Sequence, residues 1–270
     1  MASSADRMAA GAGFGALAKA DELKKRLWFT VGALIIYRLG TYLPLPGIDP
    51  GALADIFSQQ SSGILGMFDM FSGGALSRMT IFALNIMPYI TASIIMQLMT
   101  AIVPTLETLK KDGEAGRKTI NQYTRYLTVL LATVQGYGIA VGLESASGVV
   151  DDPGLFFRVT TVVTLVGGTL FLMWLGEQIT SRGVGNGISL IIFAGIVANL
   201  PTALAGTLEL GRTGALSSLL IVLLFVMAAA VIAFIVFIER SVRKILVQYP
   251  KRQHGNKVFG GDQSFLPLKI

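Results

Sequence analysis

The chain has 270 residues, 53% of them hydrophobic and only 14% charged, where a soluble domain carries about 25% charged residues. It holds no cysteine and one histidine, His254, which excludes disulfides and thiol chemistry and leaves too few ligands for a metal centre, so neither metal nor cofactor is expected. Its formal net charge is +6, and its apolar runs are too long for buried strands, which points to an all-α, polytopic helical membrane protein.

In chain order, residues 1–26 are polar and rich in small residues, with no early apolar stretch of the kind a cleaved leader needs, so the first span is expected to act as its own signal. The GAGFG stretch at 11–15 reads as a turn. Six spans are expected, at about 27–43, 79–103, 126–143, 155–175, 188–204 and 216–238. Each comes near the ~20 residues that cross ~30 Å of hydrocarbon, and each must be helical to satisfy its own backbone. Just before the second lies GILGMFDMFSGGALSRMTIFALNIMPYI, whose first half is apolar but interrupted by Asp69, Ser72, Gly73, Gly74 and Arg78. It is too apolar for a surface loop and too short and broken for a span.

Lys and Arg divide unevenly across six alternating spans. One side holds 18, from Arg7 through the 107–125 loop and Arg182 to the basic tail at 239–270; the other side and its span ends hold Arg38, Arg78, Arg158 and Arg212. Both ends of the chain are therefore expected on the cytoplasmic side. The loop at 107–125 is hydrophilic, with Gly113 and Gly116 as breakers. A G-x-G-x-G at 183–187 follows no strand and opens a membrane helix, so it reads as a turn rather than a nucleotide site. The basic tail is either a solvated topogenic flank or a docking surface for an acidic or RNA-bearing partner.

Ionisable residues are nearly absent from the span centres, which argues against an ion-coupled carrier. The spans hold small and moderately polar residues instead: Asn85 and Pro88 in the second, glycines in the third, and Gly167 and Gly168 in the fourth. Helix packing accounts for such glycines. Ile86, Ile90 and Ile94 recur every four residues, as do Ile188 and Ile192. By spacing alone they are packing or lipid-facing residues, or part of a stiff apolar constriction that excludes water and ions by dewetting.

Long stretches then carry a family resemblance. MFSGGALSRMTIFALNIMPYITASIIMQLM, FLMWLGEQITSRGVGNGISLIIFAGIVANLP and YPKRQHGNKVFGGDQSFLPLKI resemble, in order, the second membrane segment, the fourth-to-fifth helix region and the loop after the sixth helix of the SecY family of bacterial protein-conducting channels. RLGTYLPLPGID and KKDGEAGRKTINQYTRY fit as well, so the resemblance runs from Lys24 to Ile270.

The resemblance implies a passive conduit in the bacterial plasma membrane, not an enzyme, which passes unfolded polypeptide across and releases membrane segments sideways. It implies a short re-entrant plug at about 64–74, with Ile64, Leu65, Met67, Phe68, Met70 and Phe71 as its apolar face and Gly73 and Gly74 as its hinge. It implies a pore ring to which this chain contributes Ile86, Ile90, Ile188 and Ile192. It places partner docking at Arg182, Arg240, Arg243, Lys244, Lys251 and Arg252. The implied partners are SecE, SecG, the SecA ATPase, the ribosome, signal peptides and nascent secretory chains, and the lipid bilayer. It also implies a domain plan: a cytoplasmic N-terminus at 1–26, a five-helix half at 27–204, an outer loop and sixth helix at 205–238, and a cytoplasmic loop at 239–270. The family has ten spans and this chain matches six, so an incomplete form is expected, lacking a C-terminal part with helices seven to ten and unable to conduct alone. The competing readings are half of a secondary transporter for small solutes, which needs a polar or ionisable site at mid-membrane, and a membrane-embedded enzyme, which needs paired catalytic groups at that depth.

Overall fold

The computed structural model describes residues 21–49, 51–53, 64–146, 148–248, 252–254, 257–259 and 263–269. Nine helices are named here: α1 Asp21–Gly40, α2 Ile64–Ser72, α3 Met87–Ile102, α4 Pro104–Lys111, α5 Glu114–Ser145, α6 Leu155–Arg182, α7 Gly187–Ala198, α8 Leu200–Arg212 and α9 Ser218–Arg240. Four strands follow: β1 Val242–Gln248, β2 Arg252–His254, β3 Lys257–Phe259 and β4 Gln263–Lys269. The chain divides into two compact units, Met1–Pro201 and Thr202–Ile270.

In the first unit α5 packs along α6, α3 packs on α5, and α7 packs on α6, α1 and α2. The residues that α5 buries include Gly116, Thr124, Thr128, Ala132, Gly136 and Ala140, small residues four or eight apart along one face. In lipid this spacing is the means of close helix approach, because no hydrophobic drive exists there to push helices together. The buried hydroxyls are satisfied within the helix: Thr124 donates to the Ile120 carbonyl (2.9 Å) and Thr128 to that of Thr124 (2.7 Å). The buried residues of α3 (Pro88, Ala92, Met96 and Thr100) follow the same four-residue spacing.

Two ion pairs staple the antiparallel α5 and α6. Arg125 grips Glu177 with both Nε (3.1 Å) and Nη2 (2.7 Å). At the other end Arg158 Nε donates to Glu144 (2.7 Å), whose second oxygen takes the Gly154 N–H (3.0 Å). On each helix the two charges stand 19 residues apart, about 28 Å of helix, close to the ~30 Å of a hydrocarbon core. The interior between them is apolar, so the pairs mark its two faces.

Among the described residues four stretches are long and apolar enough to span: Glu114–Ser145, Leu155–Arg182, Gly187–Arg212 and Ser218–Arg240. The second expected span differs. A helix over 79–103 is not formed; it begins only at Met87. Met79 and Asn85 adopt left-handed backbone (φ 41° and 50°), and the Leu43–Leu45 strip takes one amide and one carbonyl of this stretch, with Ile81 N–H on the Leu43 carbonyl and Leu45 N–H on that of Met79, both 3.0 Å. Pro88 then sits in the first turn of α3, where its missing N–H costs nothing. The helix stops at Val103, and α4 leaves at 99° to α3. The expected loop at 107–125 is thus mostly helical. Gly113 is a turn (φ 71°), but Gly116 is no breaker: it lies inside α5 against the Leu109 carbonyl.

In the second unit α9 buries no residue at all, as suits a helix whose whole surface is apolar and meant for lipid or a partner. The tail is not a plain loop. β1 pairs antiparallel with β4, from Val242↔Lys269 to Gln248↔Gln263, and β2 pairs with β3. The GAGFG stretch lies outside the described residues.

The neighbouring glycines of α6 provide a test. A Cβ on Gly168 would collide with the Ile81 carbonyl and meet Phe82 Cδ1 at 3.2 Å, whereas Gly167 has nothing within 4 Å. Gly168→Ala is expected to lower stability by about 1–3 kcal/mol and Gly167→Ala by less than about 0.5 kcal/mol, measured as thermal unfolding in detergent. Equal effects would contradict this packing.

Candidate functional site: an apolar cavity beneath a short helix

The segment that the sequence leaves unexplained is α2 and the knuckle after it. Gly73 and Gly74 turn the chain with left-handed backbone (φ 68° and 81°), a conformation open to glycine without cost. The turn caps α2: Gly73 N–H reaches the Met70 carbonyl (3.3 Å) and Gly74 N–H that of Asp69 (3.0 Å). Asp69 also accepts the Ser77 N–H (2.8 Å), and Ser72 Oγ accepts that of Leu76 (3.1 Å). Asp69 therefore does more than interrupt an apolar run; it builds the knuckle.

The last carbonyls of α2 are taken by side chains from elsewhere. Asn85 Nδ2 donates to the Phe71 carbonyl (2.9 Å), and the Tyr37 hydroxyl makes a long contact with that of Ser72 (3.5 Å). Arg38 and Arg78 both donate to the Gly73 carbonyl (2.9 and 3.2 Å). Both guanidiniums also lie over the Tyr42 ring, 5.0 and 4.4 Å from its centre. Two cations at the C-terminal end of a helix oppose its negative pole. α7 approaches from the other side through Gly195, where a Cβ would stand 2.9 Å from the Phe71 carbonyl oxygen and 3.0 Å from the Tyr37 hydroxyl.

Beneath this junction is a cavity of about 200 Å³ lined by Phe71, Asn85, Ile86, Met87, Ile90 and Ile192. Three of the four singled-out isoleucines, on elements far apart in sequence, thus share one space with an aromatic ring of α2. Ile86 is fully buried and Ile90 and Ile192 half-buried. Ile188 is half-buried in the same apolar cluster but does not line the cavity. Ile94, which shares the helical spacing, is exposed (52%) and stands apart. A larger cavity of about 450 Å³ lies beside it, lined by the knuckle, α3 and α5, and Asn85 borders both.

Of the other residues singled out on α2, Met70 and Phe71 are substantially exposed, while the side chains of Ile64, Leu65, Met67 and Phe68 lie outside the described residues. Arg182 is exposed at the end of α6, and Arg240 closes α9. Arg243 and Lys244 are neighbours in β1 and so point to opposite faces of its ladder. Lys251 and the Arg252 side chain lie outside the described residues. Sequence reasoning missed Tyr37, Asn85 and Gly195 as parts of one junction; an Asn three residues before a Pro in an apolar run is a turn signal that marks Asn85.

The model of the family described as SecY matches residues 80–270. Protein translocase subunit SecY of Rickettsia bellii is 57% identical over 254 residues, covering 93% of this chain and 59% of that protein. The subunit of the same name from Escherichia coli K12 is 56% identical over 252 residues, covering 92% and 57%. The chain thus spans less than two thirds of the length of these relatives. Among solved structures it is similar in fold to one described as a protein conducting channel (TM-score 0.61, 19% identity, 92% of this chain and 53% of that one). It is similar also to Sec61 in the canine ribosome-channel complex (0.60, 18%, 83% and 49%). A third likeness is to a SecY structure whose plug domain is described as stabilising the closed state and maintaining a membrane seal (0.52, 19%, 92% and 52%).

The fit of α2 against α7 depends on Gly195. Gly195→Ala is expected to lift α2, and a cysteine replacing Ile86, fully buried in the cavity beneath it, should then react with a thiol reagent about fivefold faster or more. An unchanged rate would contradict the close approach.

Proposed function

The chain belongs to the SecY family, and from that premise we propose that it forms the first six helices of a channel that carries unfolded secretory polypeptide across the bacterial inner membrane. The observation that carries the reading is the cavity shared by Phe71, Ile86, Ile90 and Ile192. In it α2 is the plug, and the isoleucines are this chain's part of a pore ring, with Ile188 beside them. Branched, stiff side chains around a narrow apolar space resist wetting, which holds back ions while yielding to a moving chain. The plug and seal described for a neighbouring SecY structure support this use of α2.

The channel does no chemistry of its own. Energy comes from the SecA ATPase or the translating ribosome, and SecE and SecG complete the membrane complex with the family's remaining helices. Arg182, Arg240, Arg243, Lys244, Lys251 and Arg252 serve cytoplasmic docking; the structure of Sec61 with a ribosome supports a partner of that kind. The Lys and Arg distribution supports a cytoplasmic position for both ends of the chain. A solute carrier needs polar contacts at its binding site, and the cavity offers one polar side chain, Asn85, among six.

The test uses the absence of native cysteine. Ile90→Cys, assembled with the remaining helices and SecE, is expected to form a disulfide with a cysteine placed mid-chain in a stalled precursor. Leu223→Cys, on the exposed surface of α9 (64%), is expected not to. An assembled, engaged complex without a crosslink at position 90 would overturn the conduit reading.

A further inference from the structure

Asn85 breaks three local rules at once. It places an amide in an apolar run, it adopts left-handed backbone (φ 50°), and it is buried (4% exposed) with its Oδ1 lacking any hydrogen-bond partner. An unpaired buried amide oxygen and a left-handed non-glycine residue each cost stability. An apolar side chain in a continued helix would avoid both. What offsets the cost is the one bond its amide makes, from Nδ2 to the Phe71 carbonyl.

That bond has a particular position. Phe71 lies in the last turn of α2, where carbonyls have no partner within the helix. Asn85 also borders both cavities, and Ile86, the next residue, is a wall of the smaller one. The donor is therefore rigidly joined to the isoleucine wall and the acceptor to the plug. Of the two side chains from outside α2 that reach its last carbonyls, Asn85 makes the shorter contact, at 2.9 Å against 3.5 Å from Tyr37. Arg38 and Arg78 hold the knuckle beyond the helix through Gly73.

We propose that Asn85 is the positioning residue of the closed channel: its amide latches the plug helix to the pore wall, and the plug swings about the fixed knuckle at 73–80 once that bond breaks. The knuckle is expected to stay, because Gly73, Ala75, Leu76, Met79 and Thr80 are buried and bound independently of Asn85. Arg38 and Arg78 thus tether the pivot, and Asn85 sets how firmly the lever rests. The inference relies on the channel reading above.

Two substitutions separate the bond from the backbone. Asn85→Leu keeps side-chain bulk at the site but offers no donor. Asn85→Gly keeps the backbone freedom and removes the side chain. Each is placed in the complex assembled with the remaining helices and SecE, in vesicles free of precursor. Two quantities are read: resting ion leak, and the yield of a disulfide between cysteines replacing Phe71 and Ile192, which line the same cavity. Both variants are expected to raise the leak about 5- to 10-fold and to cut the disulfide yield correspondingly, the effect of losing one buried hydrogen bond. Leak and yield within twofold of wild type in both variants, while wild type moves precursor, overturns the latch and leaves the channel reading standing. A wild-type complex that moves no precursor overturns the channel reading, and the latch with it.

Discussion

The carbonyls that end a helix have no partner within it, and where they are buried a donor must come from elsewhere in the chain. That constraint governs the junction between α2 and α3. The chain must reverse there, and the reversal frees the carbonyls of Phe71, Ser72 and Gly73. They are met by Asn85, Tyr37, Arg38 and Arg78, drawn from α1 and from the stretch 78–85. The left-handed residues, the glycines and the close approach of α7 at Gly195 all follow from seating these donors. The cavity beneath exists because the same turn brings Phe71 over Ile86 and Ile90.

The rest of the first unit supplies a rigid frame for that junction. Small residues along α5 let α6 and α3 come close, and the Arg125–Glu177 and Arg158–Glu144 pairs fix the register of α5 and α6 at two levels. Exposed ion pairs contribute little stability, but the Glu144 side chain is only 9% exposed and also caps the start of α6 through Gly154. Registry is the stronger role for both. α6 in turn buries Gly168 against the Ile81 carbonyl, so the frame reaches the knuckle directly.

Much of this was legible in the sequence because the dominant signal is apolar run length. The long helices α5, α6 and α9 and the run 187–212 match four of the six expected spans; the first expected span falls on α1, which is not among the helices apolar enough to cross, and the interrupted stretch before the second span holds a short helix. Family resemblance, not spacing, selected the isoleucines; spacing alone puts Ile94 on the same face, and it is exposed. What the sequence hid depends on partners distant along the chain. Apolarity continues through 79–86, so nothing local shows that residues 43–45 claim its hydrogen bonds. Gly167 and Gly168 are equivalent in sequence and opposite in packing. The longer pairing in the tail joins residues 15 to 27 positions apart. Asn85 read as moderate polarity within a span because its partner lies 14 residues back on another helix.

The central claim is that an apolar constriction formed by α2, α3 and α7 is dry at rest and opens to a passing chain. The most direct measurement is labelling of single cysteines at positions 86, 90 and 192 with a membrane-impermeant thiol reagent, in the assembled complex, with and without a stalled precursor. A gate of this kind leaves all three unreactive at rest and makes them reactive, or shields them only by contact with cargo, once the precursor is engaged. Equal and rapid labelling in the resting complex would mean that water already fills the space and that these isoleucines close nothing.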